Sequence, residues 1–416
     1  MNSNLFDVLK ERGFVKQCSD HEGLIKKLNE EKVVYYVGFD PTADSLHVGS
    51  LLPIMAMAHL QKAGHFPVCI IGGGTAMIGD PSGKTEMRRV MSSEEIANNN
   101  AKIVSQLKKY LILDGESGTV INNADWLLDL NYIKFLRDIG RYFKVNEMIK
   151  AESYKQRLDR QEGLSFTEFN YQILQAYDFF VLFDRHNCVL QLGGDDQWGN
   201  MIAGINLVRI IRSKKVYGLT FPLLVTARGN KMGKTEAGTI WLDPLKTSPY
   251  DFYQFWINTD DKDVIRFLNL FTFLPHDDVV KLKKLKGQEI RVAKEILAFE
   301  VTKLVHGQEE AIKAEKSGKT IFSNLGNYLE SIPTSRIEIS RIKEGLPIVD
   351  LLCEICFCKT KSEARRLISQ GGISLNGEKV NSLDLEIKES FFDNFTVIIR
   401  RGKKQYHRLI LEGETK

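Results

Sequence analysis

The sequence has few cysteines for its length and lacks long apolar runs. Its 416 residues include only six cysteines, which excludes a disulfide-built fold and favours reduced thiols in a cytoplasm. Cys353, Cys356 and Cys358 lie close together, but with no second Cys/His pair at metal-ligand spacing we expect buried thiols on a helix. No apolar segment approaches the roughly 20 residues of a membrane helix. The opening segment has early acids and lacks the apolar core of a secretory signal, so we expect a cytoplasmic protein without a membrane contact.

A strong charge of one sign is also missing. The net charge is +4, with 43% hydrophobic and 26% charged residues, which is typical of a globular protein with two or three domains. Residues 336–416 contain 15 Lys/Arg against 12 Asp/Glu, so most of the excess lies in about a fifth of the chain. This uneven distribution hints at an RNA-facing surface near the carboxyl terminus.

The segment from Tyr36 to Ser50, YVGFDPTADSLHVGS, predicts a phosphate site. Val33–Val37 has the β-branched and aromatic residues of a strand that ends at Gly38. Regular structure resumes near Leu46, and the apolar period of Leu51, Leu52, Met55 and His59 predicts a helix near 50–63. A strand, a polar turn and a helix N-terminus bring backbone N–H groups and a positive dipole end together, which suits a nucleotide phosphate. His47 lies at that helix start, although the His-x-Gly pattern by itself favours a structural histidine in an ordinary strand–helix turn.

A second strand over Val68–Ile71 gives a strand–helix–strand order and therefore a parallel sheet. The segment after it, GGGTAMIGDPSGKT, ends like a P-loop, but Ile78 occupies the position of the required first glycine. Asp80 is either a capping residue or a ligand-binding carboxylate. Lys84 and Arg88 are four residues apart, so on a helix they would share a face that holds pyrophosphate or lies in solvent.

The most informative predicted helix is FTEFNYQILQAYDFFVLF, residues 166–183. Tyr171, Gln175 and Asp178 follow helical spacing, so they form one polar stripe on an otherwise apolar helix. Burying such a stripe is costly unless the groups find partners, either one another or a small polar ligand. The composition of the stripe favours the ligand.

Two further loops carry polar groups. The strand Val189–Leu192 runs into GGDDQWGN, which places Asp196 where nucleotide-binding folds hold a ribose hydroxyl. The loop TARGNKMGKT, residues 226–235, contains Lys231 and Lys234 and follows a predicted strand over 221–225. It is either a surface turn or an arm whose ammonium groups close over phosphates.

The remaining pattern defines the domain organisation. Residues 92–160 alternate helices with a short strand near 120–123, and the apolar stretch 142–149 is either core or a self-association surface. From residue 248 to about 314 the pattern is helical and lacks strand signals, while the tail from about 345 combines a basic helix over 362–368 with short strands. The predicted domains are a catalytic domain (1–225), a loop and linker (226–247), a helical domain (248–316), a linker (317–344) and an RNA-binding domain (345–416).

Taken in order along the chain, these motifs resemble those of the bacterial tyrosyl-tRNA synthetases, a branch of the class I aminoacyl-tRNA synthetases. The resemblance covers the opening motif, GDPSGK, FTEFNYQILQAYDF, LGGDDQWGN, the KMSKS-type loop written here as KMGKT, and the tail. It implies an α/β architecture: a Rossmann-like parallel-sheet catalytic domain, an all-helical anticodon-binding domain and a small α+β RNA-binding domain. The implied activity is that of a tyrosine-tRNA ligase, which forms tyrosyl-adenylate from ATP and transfers tyrosine to the 3′ end of tRNA(Tyr).

The resemblance also implies partners and site residues. ATP is a substrate accompanied by Mg²⁺, no cofactor is tightly bound, no side chains hold a metal, and the protein is a homodimer. The residues implied to bind tyrosine are Tyr36, Asp80, Tyr171, Gln175, Asp178 and Gln197. Gln191 is implied to contact these residues rather than the tyrosine itself. Those implied for ATP are Gly38, Asp40, His47, Gly49, Ser50, Gly194, Asp196 and Lys234, with backbone from Val37. Those implied for catalysis are Thr42, His47, Lys84, Arg88, Lys231, Lys234 and Thr235.

The chain departs from the family pattern at two places. Ser50 replaces the second histidine of the opening motif, and Gly233 and Thr235 replace the two serines of the lysine loop. Three other functions remain as alternatives: a tryptophanyl-tRNA synthetase, a catalytically silent RNA-binding relative and a small nucleotidyltransferase. The pair Tyr36 and Asp178 favours a phenol over an indole, the retained basic residues argue against a silent relative, and the tail argues against a nucleotidyltransferase.

Overall fold

A computed structural model of the chain describes residues 4–82, 91–159, 163–227, 229, 232–235, 238–323, 333–343, 345–376, 378–392, 395–402 and 405–412. The chain forms two compact units. The first contains residues 1–246 and 260–293, and the second contains residues 247–259 and 294–416. The helical segment predicted as one domain is therefore shared between both units, and the predicted domain boundaries stay a prediction.

The first unit is built on a six-stranded sheet. Its strands are β1 (Gln17–Cys18), β2 (Val34–Phe39), β3 (Phe66–Ile71), β4 (Thr119–Asn122), β5 (Cys188–Gly194) and β6 (Tyr217–Phe221). Their order is β1-β6-β5-β2-β3-β4; β1 pairs antiparallel with β6, and every other neighbouring pair is parallel. The Rossmann-like parallel sheet is thus confirmed. Since the strand order reverses between β2 and β5, the carboxyl ends of these two strands frame the crevice in which such sheets bind ligands.

Among the described residues, the helices between residues 5 and 212 accompany this sheet. They are α1 (Leu5–Glu11), α2 (His21–Glu30), α3 (Leu51–Lys62), α4 (Ser93–Leu107), α5 (Ala124–Leu127), α6 (Tyr132–Asp138), α7 (Val145–Met148), α8 (Glu152–Asp159), α9 (Phe166–His186) and α10 (Trp198–Arg212). Helix α9 begins where Ser165 accepts a hydrogen bond from the N–H of Glu168 in a capping box, and ends at Asn187 in the left-handed conformation. Its apolar face packs in the core with β2 and β3, around Phe179 and Leu182.

Two predicted boundaries near the crevice are wrong. Strand β2 does not end at Gly38 but continues to Phe39, because pairing with β3 extends to that residue and overrides the glycine. The helix predicted near 50–63, by contrast, is confirmed as α3, and a 3₁₀ turn over Val48–Ser50 precedes it. The strand expected over 221–225 instead ends at Phe221, because Pro222 has no N–H to donate to a ladder.

A short hairpin and further helices follow in the described part of the chain. The hairpin strands are β7 (Lys234–Thr235) and β8 (Gly238–Thr239); the helices are α11 (Pro249–Ile257), α12 (Asp261–Phe271), α13 (His276–Leu282), α14 (Ile290–His306) and α15 (Gln308–Ser323). Helix α15 extends beyond residue 317, the predicted start of the linker, and residues 324–332 of that linker lie outside the described residues.

The carboxyl-terminal part of the second unit is a small α+β fold, as predicted. Its helices are α16 (Ile339–Lys343), α17 (Ile348–Glu354) and α18 (Lys361–Ser369), and its strands are β9 (Thr334–Glu338), β10 (Leu346–Pro347), β11 (Ile373–Leu375), β12 (Glu378–Lys379), β13 (Glu386–Ile387), β14 (Thr396–Arg401) and β15 (Gln405–Glu412). Five strands form a sheet in the order β12-β11-β14-β15-β9, and β10 pairs with β13. The expectation of three buried helical thiols is wrong: only Cys358 is buried, while Cys356 is exposed beyond the end of α17.

Among the described helices, none is long and apolar enough to cross a bilayer.

Candidate functional site

The candidate site occupies the crevice beyond the carboxyl ends of β2 and β5. Asp178 is its most deeply buried carboxyl group, on the face of α9 that packs toward the sheet. One carboxylate oxygen accepts a hydrogen bond from Trp126 Nε1 at 2.8 Å and the other accepts one from Asn123 Nδ2 at 3.0 Å. Burial raises the pKa of Asp178 to about 7, against the lowering effect of these two hydrogen bonds. Burial therefore favours the protonated form of this acid more than in an exposed aspartate.

Tyr36 lies on β2 and is only 2% exposed. Its hydroxyl is buried and has no hydrogen-bond partner among the described residues. Burial, and then the nearby charge of Asp178, raises the pKa of this phenol well above its ordinary value, so it is a neutral donor. Gln191, the residue paired with Tyr36 on β5, likewise buries a side-chain oxygen that lacks a partner within the described part of the chain. Because an unsatisfied buried hydroxyl costs about 1–3 kcal/mol, this pair of groups indicates a place where a ligand supplies the missing hydrogen bonds.

A second group of polar side chains surrounds Asp40. The Tyr171 hydroxyl donates to Asp40 Oδ2 at 3.1 Å, and Thr75 Oγ1 donates to Asp40 Oδ1 at 3.0 Å. Asn123 joins this group to Asp178, because its side-chain amide also donates to Thr75 Oγ1 at 3.0 Å. Asp40, expected at the ATP, thus lies against a residue expected at the tyrosine. Burial raises the pKa of Tyr171 well above its ordinary value, with the charge of Asp40 as the next cause.

A third group joins β5 and α10 to the loop after β3. Gln197 Nε2 donates to Asp80 Oδ2 at 2.8 Å, while the N–H of Ser82 donates to Asp80 Oδ1 at 2.8 Å. Asn200 Nδ2 donates to Gln175 Oε1 at 2.8 Å and contacts Gln197 Oε1 at 3.3 Å. Asp80, Gln175 and Gln197, predicted near the ammonium of an amino acid, are therefore gathered in one network, whereas Tyr171 belongs to the group around Asp40.

His47 caps the 3₁₀ turn that precedes α3. Its Nδ1 accepts a hydrogen bond from the N–H of Gly49 at 3.0 Å, and its ring lies edge-on to Trp241 with centroids 6.4 Å apart. A Cβ at position 49 would lie 2.7 Å from His47 Cε1, so only glycine allows this ring position. Ser50 Oγ lies 3.5 Å from the N–H of His47, which is too long for a strong hydrogen bond.

The lysine loop is attached to this motif through its backbone. The N–H of Val48 donates to Ile240 O at 3.0 Å, and the N–H of Ile240 donates to Gly233 O at 2.9 Å. A Cβ on Gly233 would lie 3.5 Å from the N–H nitrogen of Gly49. The two motifs that the sequence separates by almost 190 positions are therefore adjacent in space.

The remaining predicted ATP residues lie at the open end of the crevice. Gly38 is exposed, and a Cβ built on it meets no atom within 4 Å, which leaves room beside β2 for a ligand. A Cβ at Gly194 would lie 2.5 Å from Asp196 Oδ1, so glycine allows this carboxylate to fold back over the end of β5. Thr42 is exposed in the turn between β2 and His47.

Several predicted basic residues cannot be placed. Lys84, Arg88 and Lys231 lie outside the described residues, whereas Lys234 and Thr235 form β7. In the part of the chain that the structure describes, no three His, Cys, Asp or Glu side chains are grouped to hold a metal.

Four residues of the site were missed by sequence reasoning: Thr75, Asn123, Trp126 and Asn200. Asn123 was detectable, since it directly follows β4 at the same edge of the sheet as the other polar groups. Trp126 and Asn200 carried no such signal, because each meets its partner only through helix packing.

Comparisons with known proteins agree with this geometry. The family model described as "tRNA synthetases class I (W and Y)" matches residues 28–323, and that described as "Tyrosine--tRNA ligase SYY-like C-terminal domain" matches residues 325–409. The chain is 51% identical over 412 residues to a tyrosine–tRNA ligase of Clostridium tetani, covering 99% of this chain and 100% of the relative. It is 51% identical over 409 residues to that of Acetivibrio thermocellus, covering 98% and 100%.

A solved structure gives the same result. A C-terminally truncated mitochondrial tyrosyl-tRNA synthetase of Aspergillus nidulans matches with a TM-score of 0.69 and 32% identity, covering 77% of this chain and 95% of that one. The parallel sheet and its polar crevice between β2 and β5 agree with the sequence similarity, which extends over the full length of bacterial enzymes. The chain therefore belongs to the tyrosine–tRNA ligases of the class I tRNA synthetases.

Proposed function

We propose that the crevice between β2 and β5 binds tyrosine and ATP, forms tyrosyl-adenylate there and transfers tyrosine to the 3′ end of tRNA(Tyr). The observation that carries this assignment is the buried Tyr36 hydroxyl, which has no partner among the described residues and lies near the Asp178 carboxyl. A substrate phenol would donate to Asp178 and accept from Tyr36. Phenylalanine would leave both groups unpaired, and the indole N–H of tryptophan can donate but cannot accept. A site built to meet a hydroxyl rejects the analogue without it, as is known for tyrosyl-tRNA synthetases themselves.

The amino group of tyrosine would be held by Asp80, Tyr171 and Gln175. The Tyr171 hydroxyl gives its single proton to Asp40, so its lone pairs are available to an ammonium. The Asp80 oxygens each accept one hydrogen bond and can accept more, and Gln197 holds that carboxylate in place. Asn200 fixes the orientation of Gln175 in the same way.

ATP would lie over Gly38 and the ends of β2 and β5. The room above Gly38 suits the nucleoside, and Asp196, at the end of β5, suits a ribose hydroxyl. Asp40, which accepts a hydrogen bond from Tyr171, is also proposed to contact ATP, while Gly49, Gly194 and Ser50 shape the neighbouring backbone. His47 and Thr42, on the turn leading to α3, would contact the phosphates together with the helix N-terminus.

In the proposed reaction, a tyrosine carboxylate oxygen forms a bond to the α-phosphorus as the bond from that phosphorus to the bridging oxygen breaks and pyrophosphate leaves. Charge then grows on the phosphate oxygens, and positioned donors stabilise it without any covalent enzyme intermediate. Lys84, Arg88, Lys231, Lys234 and Thr235 are the proposed partners of the leaving pyrophosphate. Mg²⁺ would enter with ATP as a ligand of its phosphates.

The tail and the surface of the first unit have separate proposed roles. Helix α18 exposes Lys361, Arg365 and Arg366, which supports contact of the carboxyl-terminal fold with tRNA phosphates. Large apolar side chains exposed between α5 and α9 support a homodimer: Leu128, Tyr132, Ile133, Val145 and Phe166. The six free cysteines support a reducing, cytoplasmic location.

Amino-acid-dependent pyrophosphate exchange across the aromatic amino acids tests the assignment. We expect exchange with tyrosine that exceeds exchange with phenylalanine and tryptophan by orders of magnitude. Faster exchange with tryptophan would overturn the proposed pocket, and an absence of exchange with every amino acid would overturn the activity.

A further inference from the structure

The turn that carries Thr42 and His47 is held from outside the crevice by α4. Residues 40–47 join β2 to the 3₁₀ turn without regular secondary structure of their own. Three side chains of α4 contact this turn: Asn99 Nδ2 donates to Pro41 O at 3.0 Å, Lys102 pairs with Asp44 at 2.9 Å, and Gln106 reaches the residues directly before His47. Positions 99, 102 and 106 share one face of a helix, so α4 lies along the turn and contacts it at three points.

Gln106 makes the most specific of these contacts. Its Oε1 accepts a hydrogen bond from the N–H of Leu46 at 2.8 Å, and its Nε2 donates to Ser45 Oγ at 3.0 Å. Ser45 Oγ in turn donates to Leu46 O at 2.9 Å. Gln106 and Ser45 are 8% and 4% exposed, so water does not substitute easily for these hydrogen bonds.

The same short segment is bound from its other side. Leu46 O also accepts from the N–H of Leu242 at 2.9 Å, and His47 pairs with Trp241 in an isolated bridge. Leu46 therefore lies between Gln106 and the strand-like segment that follows the lysine loop. Its backbone N–H, however, is satisfied by Gln106, and loss of that acceptor would let the turn rotate just before His47.

We propose that Gln106 is a positioning residue for adenylate formation. It does not touch the substrates; it fixes the peptide unit before His47 and so sets the direction from which the imidazole reaches the phosphates. This inference rests on the proposed role of His47. A displacement of about 1 Å in a catalytic group can cost a factor of ~10² in rate, so a small rotation of this turn is enough to matter.

The experiment measures the single-turnover rate of tyrosyl-adenylate formation by the full-length enzyme at saturating ATP, with tyrosine binding measured separately. Gln106→Met keeps the size and apolar stem but removes both hydrogen bonds. We expect the rate to fall by about 10- to 100-fold, with tyrosine affinity changed less than about twofold. Gln106→Glu retains the acceptor for the Leu46 N–H and should recover part of the rate. Asn98→Ala, an exposed change on the same helix, is the matched control and should have no effect.

A double-mutant cycle separates positioning from general loss of structure. If Gln106 acts through His47, Gln106→Met should have little further effect in the His47→Ala background. Full additivity of the two effects, or an unchanged rate in Gln106→Met, overturns the inference. An unchanged rate in His47→Ala alone instead overturns the proposed role of His47, so the two failures are distinguishable. Should Gln106→Met fail to fold, Ser45→Ala removes the acceptor of Gln106 Nε2 together with the hydrogen bond from Ser45 Oγ to Leu46 O. Its rate and its coupling to His47 then decide the question by the same criteria.

Discussion

Replacing Tyr36 by phenylalanine should stabilise the ligand-free protein against unfolding and weaken its binding of tyrosine. The Tyr36 hydroxyl is buried without a partner among the described residues, so the folded state bears a desolvation cost of about 1–3 kcal/mol that phenylalanine avoids. In a unit of this size, each kcal/mol corresponds to a thermal midpoint shift of about 2 °C. Conversely, a neutral hydrogen bond to the substrate contributes about 0.5–1.5 kcal/mol, so the dissociation constant of tyrosine should rise about 2- to 12-fold.

The neighbouring residue provides a matched control with the opposite sign. Tyr35 is also fully buried on β2, but its hydroxyl donates to the Met57 carbonyl oxygen. Tyr35→Phe should therefore destabilise the protein by about 1 kcal/mol and leave tyrosine binding unchanged. Thermal unfolding of the ligand-free protein and equilibrium dialysis with tyrosine measure both quantities. Two results for Tyr36→Phe would count against this reasoning: a lower thermal midpoint, as is expected for Tyr35→Phe, or binding of tyrosine as tight as in the unchanged protein. Either result would contradict the proposal that the Tyr36 hydroxyl forms its hydrogen bond with the substrate.

Three other changes test separate parts of the site. Because the pKa of Asp178 is about 7 when folded and its ordinary value is near 4, the folded state holds an extra proton between these values. The contribution of Asp178 to the free energy of unfolding should thus fall from pH 4 to pH 7, by on the order of 4 kcal/mol, and then stay level. Asp178→Asn should remove this pH dependence, which urea titrations at several pH values measure. Gly38→Val should fold normally, since a Cβ there meets no atom within 4 Å, but it should raise the KM for ATP more than tenfold while sparing tyrosine binding. If the variant bound ATP as tightly as the unchanged protein, the proposal that the nucleotide lies against β2 would be wrong. Lys234→Ala should slow adenylate formation about 10²-fold at unchanged tyrosine affinity, and a normal single-turnover rate would exclude Lys234 from the mechanism.

Sequence periodicity and motif order were enough to establish the architecture and the family. The β-branched runs of β2 and β3, separated by a helix, require a parallel unit, and the polar residues after successive strands meet at one edge because parallel strands share a direction. Helical spacing alone likewise places Tyr171, Gln175 and Asp178 on one face of α9. These features depend on local spacing along the chain, which a sequence displays directly.

Only the tertiary structure decided which of those polar groups satisfy one another. Tyr171 proved to be bonded to Asp40 and Gln175 to Asn200, while Tyr36 was left without a partner among the described residues. The sequence places Asn123 at the same edge of the sheet, but only packing shows that it donates to Asp178, 55 positions away, and Gln106 entered only through its contact with Leu46, 60 positions away. Hydrogen-bond satisfaction depends on distances and burial in three dimensions, and residues far apart in the chain carry no mark of it in the sequence.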